Sequence, residues 1–176
     1  MAKWELEWKA PEFPVRVESA LTPSPAGGSH KQYRVTVGDA AFAGAVAVLS
    51  ARDTGRILLV RQERIRLERH LWELPRGMAE LADSGPVQTA LRELHEETGI
   101  RAESGEYLGM IFPDSGFLTS EIAVVRVIID REDVTLDARD GEIDDQRWFS
   151  EGELGRLIAQ GELRDAISLA ALAVAL

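Results

Sequence analysis

One helix, predicted over residues 86–98, constrains the fold of this chain more than any other segment. Ser84 or Gly85 can cap its start, and Pro86 suits its first turn. Gly99 suits the position just past its end. Apolar residues recur along it at helical spacing and are predicted to face the core: Val87, Ala90, Leu91 and Leu94. The polar side of the helix therefore faces a cleft.

Three carboxylates lie on that polar side. A helix turns by about 100° per residue, so Glu93, Glu96 and Glu97 fall within an arc of about 100° and can all point at one place. Like charges this close repel each other unless cations lie between them. Ligand sets made only of oxygen favour Mg²⁺ or Mn²⁺ over softer metals. The helix therefore predicts a site for a divalent metal ion.

Strand patterns surround this helix. Residues 13–19 and 31–37 alternate apolar and polar side chains, which predicts two half-exposed antiparallel strands. The apolar runs at 41–51 and 56–62 predict buried strands at the centre of a sheet. Further strands are predicted at 105–112, 121–129 and 146–150, and further helices near 151–160 and 164–175. Strands around one helix, with helices at the end, predict an α/β fold in which a mixed β-sheet is sandwiched between α-helices.

The composition argues against several kinds of function. With 176 residues, of which 45% are hydrophobic, the chain can bury its own core, and it has no cysteine for disulfides or thiolate ligands. A net charge of −10 argues against a nucleic-acid-binding surface. The apolar run at 166–176 is roughly half the length that spans a bilayer, so no membrane role is expected. The charged N-terminal residues lack the apolar core of a signal peptide, and the cytoplasm is the expected location.

Residues 92–100 read RELHEETGI and, together with Gly77, resemble the Nudix box. They match the second half of that motif at every specified position. The first half departs from the family pattern, because Asp83 stands where the family has Glu and one extra residue, assigned to Gly85, precedes the helix. The insertion can be absorbed in the loop without rotating the three glutamates. Asp83 is expected to reach the helix as a capping or orienting group.

The resemblance extends over most of residues 40–176, to the ADP-ribose pyrophosphatase branch of the family. The motifs that carry it are GAVAVL at 44–49, LLVRQ at 58–62, WELPRG at 72–77, Pro113 followed by SGF at 115–117, and GELRDAISLAAL at 161–172. It implies a Nudix hydrolase domain with the Nudix fold at 41–176. Residues 1–40 are predicted to form N-terminal strands, which could be a separate subdomain or the arm of a homodimer.

The family's chemistry implies roles for the residues of the box. Glu93, Glu96 and Glu97 would hold Mg²⁺ or Mn²⁺, and Glu97 is also assigned to catalysis. The backbone carbonyl near Gly77 would supply a further oxygen. Bound divalent ions neutralise the charge of a pyrophosphate and activate the attacking water. Arg92 resembles the structural arginine of the family, which orients a neighbouring carboxylate.

A general base would complete this set. In this branch of the family the base is often a glutamate on a loop late in the chain, and the acidic stretch at 137–146 matches that loop. Glu142 is the first choice. Asp140, Asp144 or one of the box glutamates are alternatives, and the whole stretch could instead be a polar loop.

The resemblance also implies contacts to the substrate. Arg64 falls where the branch carries a phosphate-binding arginine, and Arg61 is assigned to the substrate with it. The alternative for this basic stretch is an exposed edge. Glu121 matches a carboxylate that can accept hydrogen bonds from ribose hydroxyls. Arg76 stands where the family usually has a small residue, and its side chain is expected to alter metal affinity or to contact a phosphate.

The predicted function is hydrolysis of ADP-ribose, or of a related nucleoside diphosphate sugar, to a nucleoside monophosphate and a sugar phosphate. The nearest alternative is the same reaction on a GDP-sugar, a dinucleotide or NADH, because the box specifies metal and pyrophosphate chemistry and not the attached groups. A different class of protein, a non-catalytic sensor that binds ADP-ribose, is disfavoured by the intact Glu93, Glu96 and Glu97.

Overall fold

The computed structural model describes residues 2–38, 40–132 and 143–176. The strands in these ranges are β1 (Glu5–Lys9), β2 (Val15–Pro23), β3 (Ser29–Val37), β4 (Gly44–Ala51), β5 (Ile57–Arg64), β6 (Arg69–Glu73), β7 (Arg76–Met78), β8 (Glu106–Ile111), β9 (Ile122–Ile129) and β10 (Ile143–Phe149). The helices are α1 (Pro86–Thr98), α2 (Glu151–Gln160) and α3 (Ala166–Ala175), with a short 3-10 helix at Ile65–Leu67. Every strand and helix predicted from the sequence is present, whereas the sequence patterns do not predict β1, β6 and β7.

A mixed seven-stranded sheet forms the centre of the protein. Its main path runs β10-β5-β4-β9-β8, with β6 paired to β5 and β7 paired to β4. Strands β4 and β9 are parallel, while the other described pairs of this sheet are antiparallel. The two runs predicted to be buried strands are β4 and β5. Their apolar residues are buried because both faces of the sheet are covered.

Successive residues of β4 point to opposite faces of the sheet, as in any strand. Ala45 and Ala47 pack in one apolar cluster with α1, whereas Val46 and Val48 pack in another with α2 and α3. The sheet therefore lies between helices, and the predicted α/β/α sandwich is confirmed. Within the described ranges, no helix combines the length and the apolar character that crossing a bilayer requires.

Strands β1, β2 and β3 form a separate antiparallel sheet. It meets the rest of the chain where β3 lies beside residues 117–120. There the N–H of Val37 donates to the hydroxyl of Ser120 (2.6 Å), and that hydroxyl donates back to the Val37 carbonyl (2.9 Å). Four large apolar side chains of this sheet are exposed: Leu6, Trp8, Leu21 and Tyr33. The domain division at residue 40 and a role of this sheet in a dimer stay predictions.

Candidate active site

Helix α1 has the ends that its sequence predicts. Gly85 is its N-cap residue, Pro86 begins its first turn, and Gly99 follows its last turn with a φ of 77°. Glycine adopts this left-handed conformation at little cost because it has no β-carbon. Ala90 and Leu94 are fully buried against the sheet. This packing fixes the rotation of the helix and directs the carboxylates of Glu93 and Glu97 to the edge where β7 lies.

The backbone of β7 lies very close to α1 and to β4. A β-carbon at Gly77 would overlap the carboxylate of Glu93, and one at Gly44 would overlap the carbonyl oxygen of Gly77. In the antiparallel register of the two strands, Gly44 is opposite Met78 and Ala45 is opposite Gly77. Glycine at both positions therefore lets the Gly77 backbone fit between strand β4 and the Glu93 carboxylate.

Glu97 is the most deeply buried of the three glutamates, with 6% of its surface exposed. Its Oε2 accepts a hydrogen bond from the backbone N–H of Arg76 (3.2 Å). Its backbone carbonyl accepts one from Nε2 of Gln146 on β10 (3.3 Å). A buried carboxylate that lost its hydrogen bond would incur the full cost of its desolvation, so the Glu97 side chain stays at the Arg76 N–H of β7. Glu97 therefore ties the last turn of α1 to this short strand.

Arg92 connects two of the glutamates to the same strand. Its Nη1 donates to Oε1 of Glu93 (2.9 Å) and to Oε2 of Glu96 (2.8 Å). Its Nη2 donates to the backbone carbonyl of Met78 (2.7 Å) and to Oδ2 of Asp83 (3.2 Å). One planar guanidinium thus holds three carboxylates and a backbone carbonyl in fixed directions. These contacts suit the orienting role that the resemblance implies for Arg92.

Asp83 reaches into the site despite its short side chain, which is only 3% exposed. It accepts hydrogen bonds from the N–H of Glu80 (3.0 Å) and from the hydroxyl of Thr89 (2.8 Å), in addition to Arg92. Burial by itself raises the pKa of Asp83, but these hydrogen bonds outweigh it, so the pKa lies below its usual value. Asp83 is therefore an ionised partner of Arg92, and the extra Gly85 has not moved it out of reach.

The carboxylates of α1 have the chemistry of a site for a hard divalent cation. Burial raises the pKa of Glu93 against the lowering effect of Arg92, and the charge of Glu96 raises it further. A cation bound here would offset both the burial of the Glu93 charge and its repulsion by Glu96. Among the residues that the structure describes, no three acidic or imidazole side chains converge on one point as metal ligands. Arg92 contacts one carboxylate oxygen of Glu93 and one of Glu96, so each side chain could turn its other oxygen to an ion, and the donor set fits Mg²⁺ or Mn²⁺.

A cavity of about 700 Å³ opens beside β5, β6 and the N-terminus of α3. Arg64 lies in its wall and donates from Nε (2.8 Å) and Nη2 (2.5 Å) to the two carboxylate oxygens of Glu73. This hydrogen-bonded pair raises the pKa of Arg64, and the charges of Asp165 and Glu97 contribute to the same effect. Arg76 also lines this cavity and its N–H meets Glu97, so the predicted phosphate-binding arginine lies near one carboxylate of α1.

The other two predicted substrate residues lie outside this cavity. Arg61 is exposed in a separate depression beside the turn between α2 and α3. Glu121 lines a third depression, which lies between the end of β3 and the start of β4. The described residues thus bring Arg64 and Glu97 to either side of Arg76 but place Arg61 and Glu121 in other depressions. Both assignments stay predictions.

The predicted general base is not placed by the structure. Glu142 and its alternative Asp140 lie outside the described residues. Asp144, the third candidate, is on β10 and lines the cavity that contains Arg64. Its Oδ2 is 2.6 Å from Nδ1 of His70. Asp144 is therefore the one acidic alternative from the 137–146 stretch with a described position near the site.

Two residues of the cavity were missed by the sequence patterns. Glu73 is 1% exposed and accepts hydrogen bonds from both Arg64 and Arg76. Asp165 is the N-cap of α3 and pairs with Arg76 (3.2 Å). An aspartate directly before an apolar helical run is a readable N-cap signal. The ion pair of Asp165 with Arg76 depends on the tertiary fold, and no local sequence pattern indicates it.

Two features define the Nudix class of α/β proteins. One is a mixed sheet between helices, and the other is a short strand with a glycine, here β7, that precedes a helix with several carboxylates, here α1. A family model described as the NUDIX domain matches residues 41–172 of this chain. The chain belongs to this family, and the resemblance read from its box is confirmed.

Two bacterial relatives carry the name ADP-ribose pyrophosphatase. The protein of Mycobacterium tuberculosis (strain ATCC 25618 / H37Rv) is 34% identical over 128 residues, which cover 72% of this chain and 62% of that protein. The protein of Bacillus subtilis (strain 168) is 34% identical over 126 residues, with shares of 72% and 62%. The chain thus aligns with less than two thirds of the length of either relative. A solved structure described as an ADP compounds hydrolase shares the fold, with a TM-score of 0.73 at 18% identity over 99% of this chain and 91% of that one.

Proposed function

We propose that this protein is a divalent-metal-dependent hydrolase that cleaves the pyrophosphate of ADP-ribose, or of a related nucleoside diphosphate sugar. The products are a nucleoside monophosphate and a sugar phosphate. One observation carries the chemistry: Glu93 and Glu97 lie against strand β7, and Arg76 of that strand lines the cavity that contains Arg64. The two relatives named ADP-ribose pyrophosphatase support the substrate class.

The box residues would hold the metal. Glu93, Glu96 and Glu97 offer carboxylate oxygens from adjacent turns of α1, and the family resemblance assigns a further oxygen to the backbone carbonyl near Gly77. Bound cations would neutralise the pyrophosphate and activate water. Arg92 keeps two of the glutamates directed to this edge through its hydrogen bonds of 2.9 and 2.8 Å. Such partners around a metal site commonly set its affinity.

The cavity would hold the substrate. Its volume of about 700 Å³ falls in the usual range for small-molecule sites, about 300–1,000 Å³. Arg64 would bind a phosphate with the donors that its pair with Glu73 leaves available, because a guanidinium has five N–H groups. Arg61 and Glu121 are proposed as further substrate contacts and Glu142 as the base. The same proposal includes a cytoplasmic location for the protein and a homodimer as its oligomeric state.

An assay against a panel of substrates tests this function. The purified protein is incubated with Mg²⁺ and with ADP-ribose, ADP-sugars, GDP-sugars, NADH or diadenosine polyphosphates, and the products are identified by chromatography and mass spectrometry. We expect AMP and ribose 5-phosphate from ADP-ribose, and no reaction after EDTA treatment. Faster turnover of another compound would assign that compound as the substrate in place of ADP-ribose. Tight ADP-ribose binding without turnover of any compound would replace the hydrolase with a sensor.

A further inference from the structure

The side chain of Arg76 links strand β7 to the helix on the opposite face of the sheet from α1. Its Nη2 donates to Oε2 of Glu73 (2.9 Å) and to Oδ1 of Asp165 at the N-terminus of α3 (3.2 Å). The side chain of Arg76 is 23% exposed, that of Asp165 14% and that of Glu73 1%. These charges are therefore largely withdrawn from water, where screening would weaken their attraction.

Asp165 is itself held firmly. Its Oδ2 accepts hydrogen bonds from the backbone N–H and the hydroxyl of Ser168, both at 2.8 Å. The same hydroxyl accepts a buried hydrogen bond from the N–H of Leu74 (2.9 Å). The segment from Leu74 to Arg76 is thus attached to α3 at two points. An anchor of this kind can hold the backbone of β7 in one position.

The other side of β7 faces the glutamates of α1. The backbone N–H of Arg76 donates to Oε2 of Glu97 (3.2 Å), and the carbonyl of Met78 accepts from Arg92 (2.7 Å). Gly77, whose carbonyl is proposed to meet the metal, lies between these two bonds. Arg76 therefore contacts both helical layers, one through its backbone and the other through its guanidinium.

We propose that Arg76 is a positioning residue for the divalent-metal site. Its guanidinium, anchored on Asp165, holds the backbone at Gly77 and, through its N–H, the carboxylate of Glu97. This inference rests on the proposed function, because the metal site is part of that function. A small residue at position 76 could not reach Asp165. The arginine therefore makes the metal site of this chain depend on α3, a helix that lies outside the Nudix box.

The sign of the effect distinguishes this role from a simple effect of charge. Removing a positive charge near a cation site by itself tightens cation binding. Removing a link that holds ligands in place weakens it. The test therefore measures Mn²⁺ binding to the full chain by electron paramagnetic resonance, without substrate. The variants are Arg76→Met, Arg76→Lys and Asp165→Asn. Arg66→Met is the control, because Arg66 lines the same cavity and is exposed.

We expect Arg76→Met to weaken Mn²⁺ binding by about tenfold, a usual cost of losing a residue that orients metal ligands. Asp165→Asn keeps an N-cap residue for α3 but removes the charge that Arg76 meets, so a similar loss is expected. A double variant that combines Arg76→Met with Asp165→Asn should bind Mn²⁺ about as weakly as either single variant, because both changes break the same link. Arg76→Lys should be intermediate, since a lysine has the charge without the planar fork. The kcat of Arg76→Met should recover at saturating Mg²⁺.

Unchanged or tighter Mn²⁺ binding in Arg76→Met would overturn the proposal, and so would an equal loss in Arg66→Met. If Arg76→Met fails to fold, as judged by circular dichroism, Arg76→Lys decides. It keeps the positive charge, so weaker Mn²⁺ binding reflects the lost fork, and unchanged binding overturns the proposal. A wild-type protein that neither binds Mn²⁺ nor hydrolyses any compound of the panel would refute the proposed function and this role with it. Normal wild-type behaviour with unaffected variants would refute the role of Arg76 alone.

Discussion

Replacing Gly77 with alanine would place a β-carbon on the carboxylate of Glu93, whereas replacing Gly44 would place one on the backbone carbonyl of Gly77. A carboxylate at the end of a flexible side chain can turn away, but a backbone carbonyl in a paired strand moves only with its strand. Neither glycine has a positive φ, so alanine fits the backbone conformation at both positions. Both variants should therefore lose activity, but they should differ in stability.

The free energies can be compared directly. In Gly77→Ala, a Glu93 forced off its rotamer costs about 1 kcal/mol, and the lower entropy of the unfolded chain returns about 0.4–1 kcal/mol. The net change is close to zero. In Gly44→Ala, overpacking costs about 1–3 kcal/mol, which leaves a net loss of about 1–2 kcal/mol. At about 2–4 °C per kcal/mol for a chain of this size, the Tm falls by roughly 2–8 °C for Gly44→Ala and by less than about 2 °C for Gly77→Ala.

Thermal unfolding and ADP-ribose hydrolysis measure the two effects separately. Displacing Glu93 should lower kcat/KM by at least about 100-fold, because a charged ligand leaves the metal site. Gly152→Ala is a matched control, since an alanine there meets nothing within 4 Å. It should keep the activity, and its Tm should rise by roughly 1–4 °C, because the entropy of the unfolded chain falls and no clash opposes the gain. Wild-type activity in Gly77→Ala would show that β7 does not lie this close to α1. A fall in its Tm as large as that of Gly44→Ala would show that Glu93 cannot turn away from the added β-carbon.

Glu97→Gln keeps the shape of the side chain and an acceptor for the Arg76 N–H, so turnover should fall at least about 100-fold while the Tm stays nearly the same; near-normal AMP release would reject the metal assignment. The folded state lowers the pKa of Asp83, so its stabilisation is complete above the usual value of 3.8 and is lost as the pH falls through the folded pKa. Asp83→Asn should therefore unfold in less urea than the wild type at pH 7 and converge with it in acid; a constant difference would contradict this. Glu73→Gln leaves Arg64 and Arg76 without their buried anion. Because these two side chains are 29% and 23% exposed, water partly compensates them, and we expect the free energy of unfolding to fall by about 2 kcal/mol. An unchanged midpoint in urea would refute this.

Local signals predicted the elements whose ends and faces are encoded in adjacent residues. Helix α1 starts at Pro86 and ends before Gly99 as predicted, because glycine and proline have strong preferences for these positions. Strand β7 was missed because its three residues, Arg76–Met78, are too few to show a period. It is a strand because it pairs with β4 and packs beside α1, and both are contacts between distant parts of the chain.

The three glutamates proposed to bind the metal were predictable as a group for the same reason, since Glu93, Glu96 and Glu97 share one side of one helix. Their partners were only partly predictable. The resemblance implied that Arg92 orients a carboxylate, and Asp83 was expected to reach the helix. The two arginines on Glu73 and the pair of Arg76 with Asp165 were not expected. The last pair joins residues 89 positions apart, which no local pattern encodes.

The sequence by itself determined the class of this protein: a helix with three carboxylates on one side, strands around it, and a family motif that implies pyrophosphate chemistry. These are properties of neighbouring residues, whose spacing sets which side chains share a helical face. Only the tertiary structure decided how closely β7 approaches Glu93, and that Arg76 turns to α3 while its N–H meets Glu97. Those contacts depend on the distances between packed elements, which arise when the sheet and its two helical layers come together.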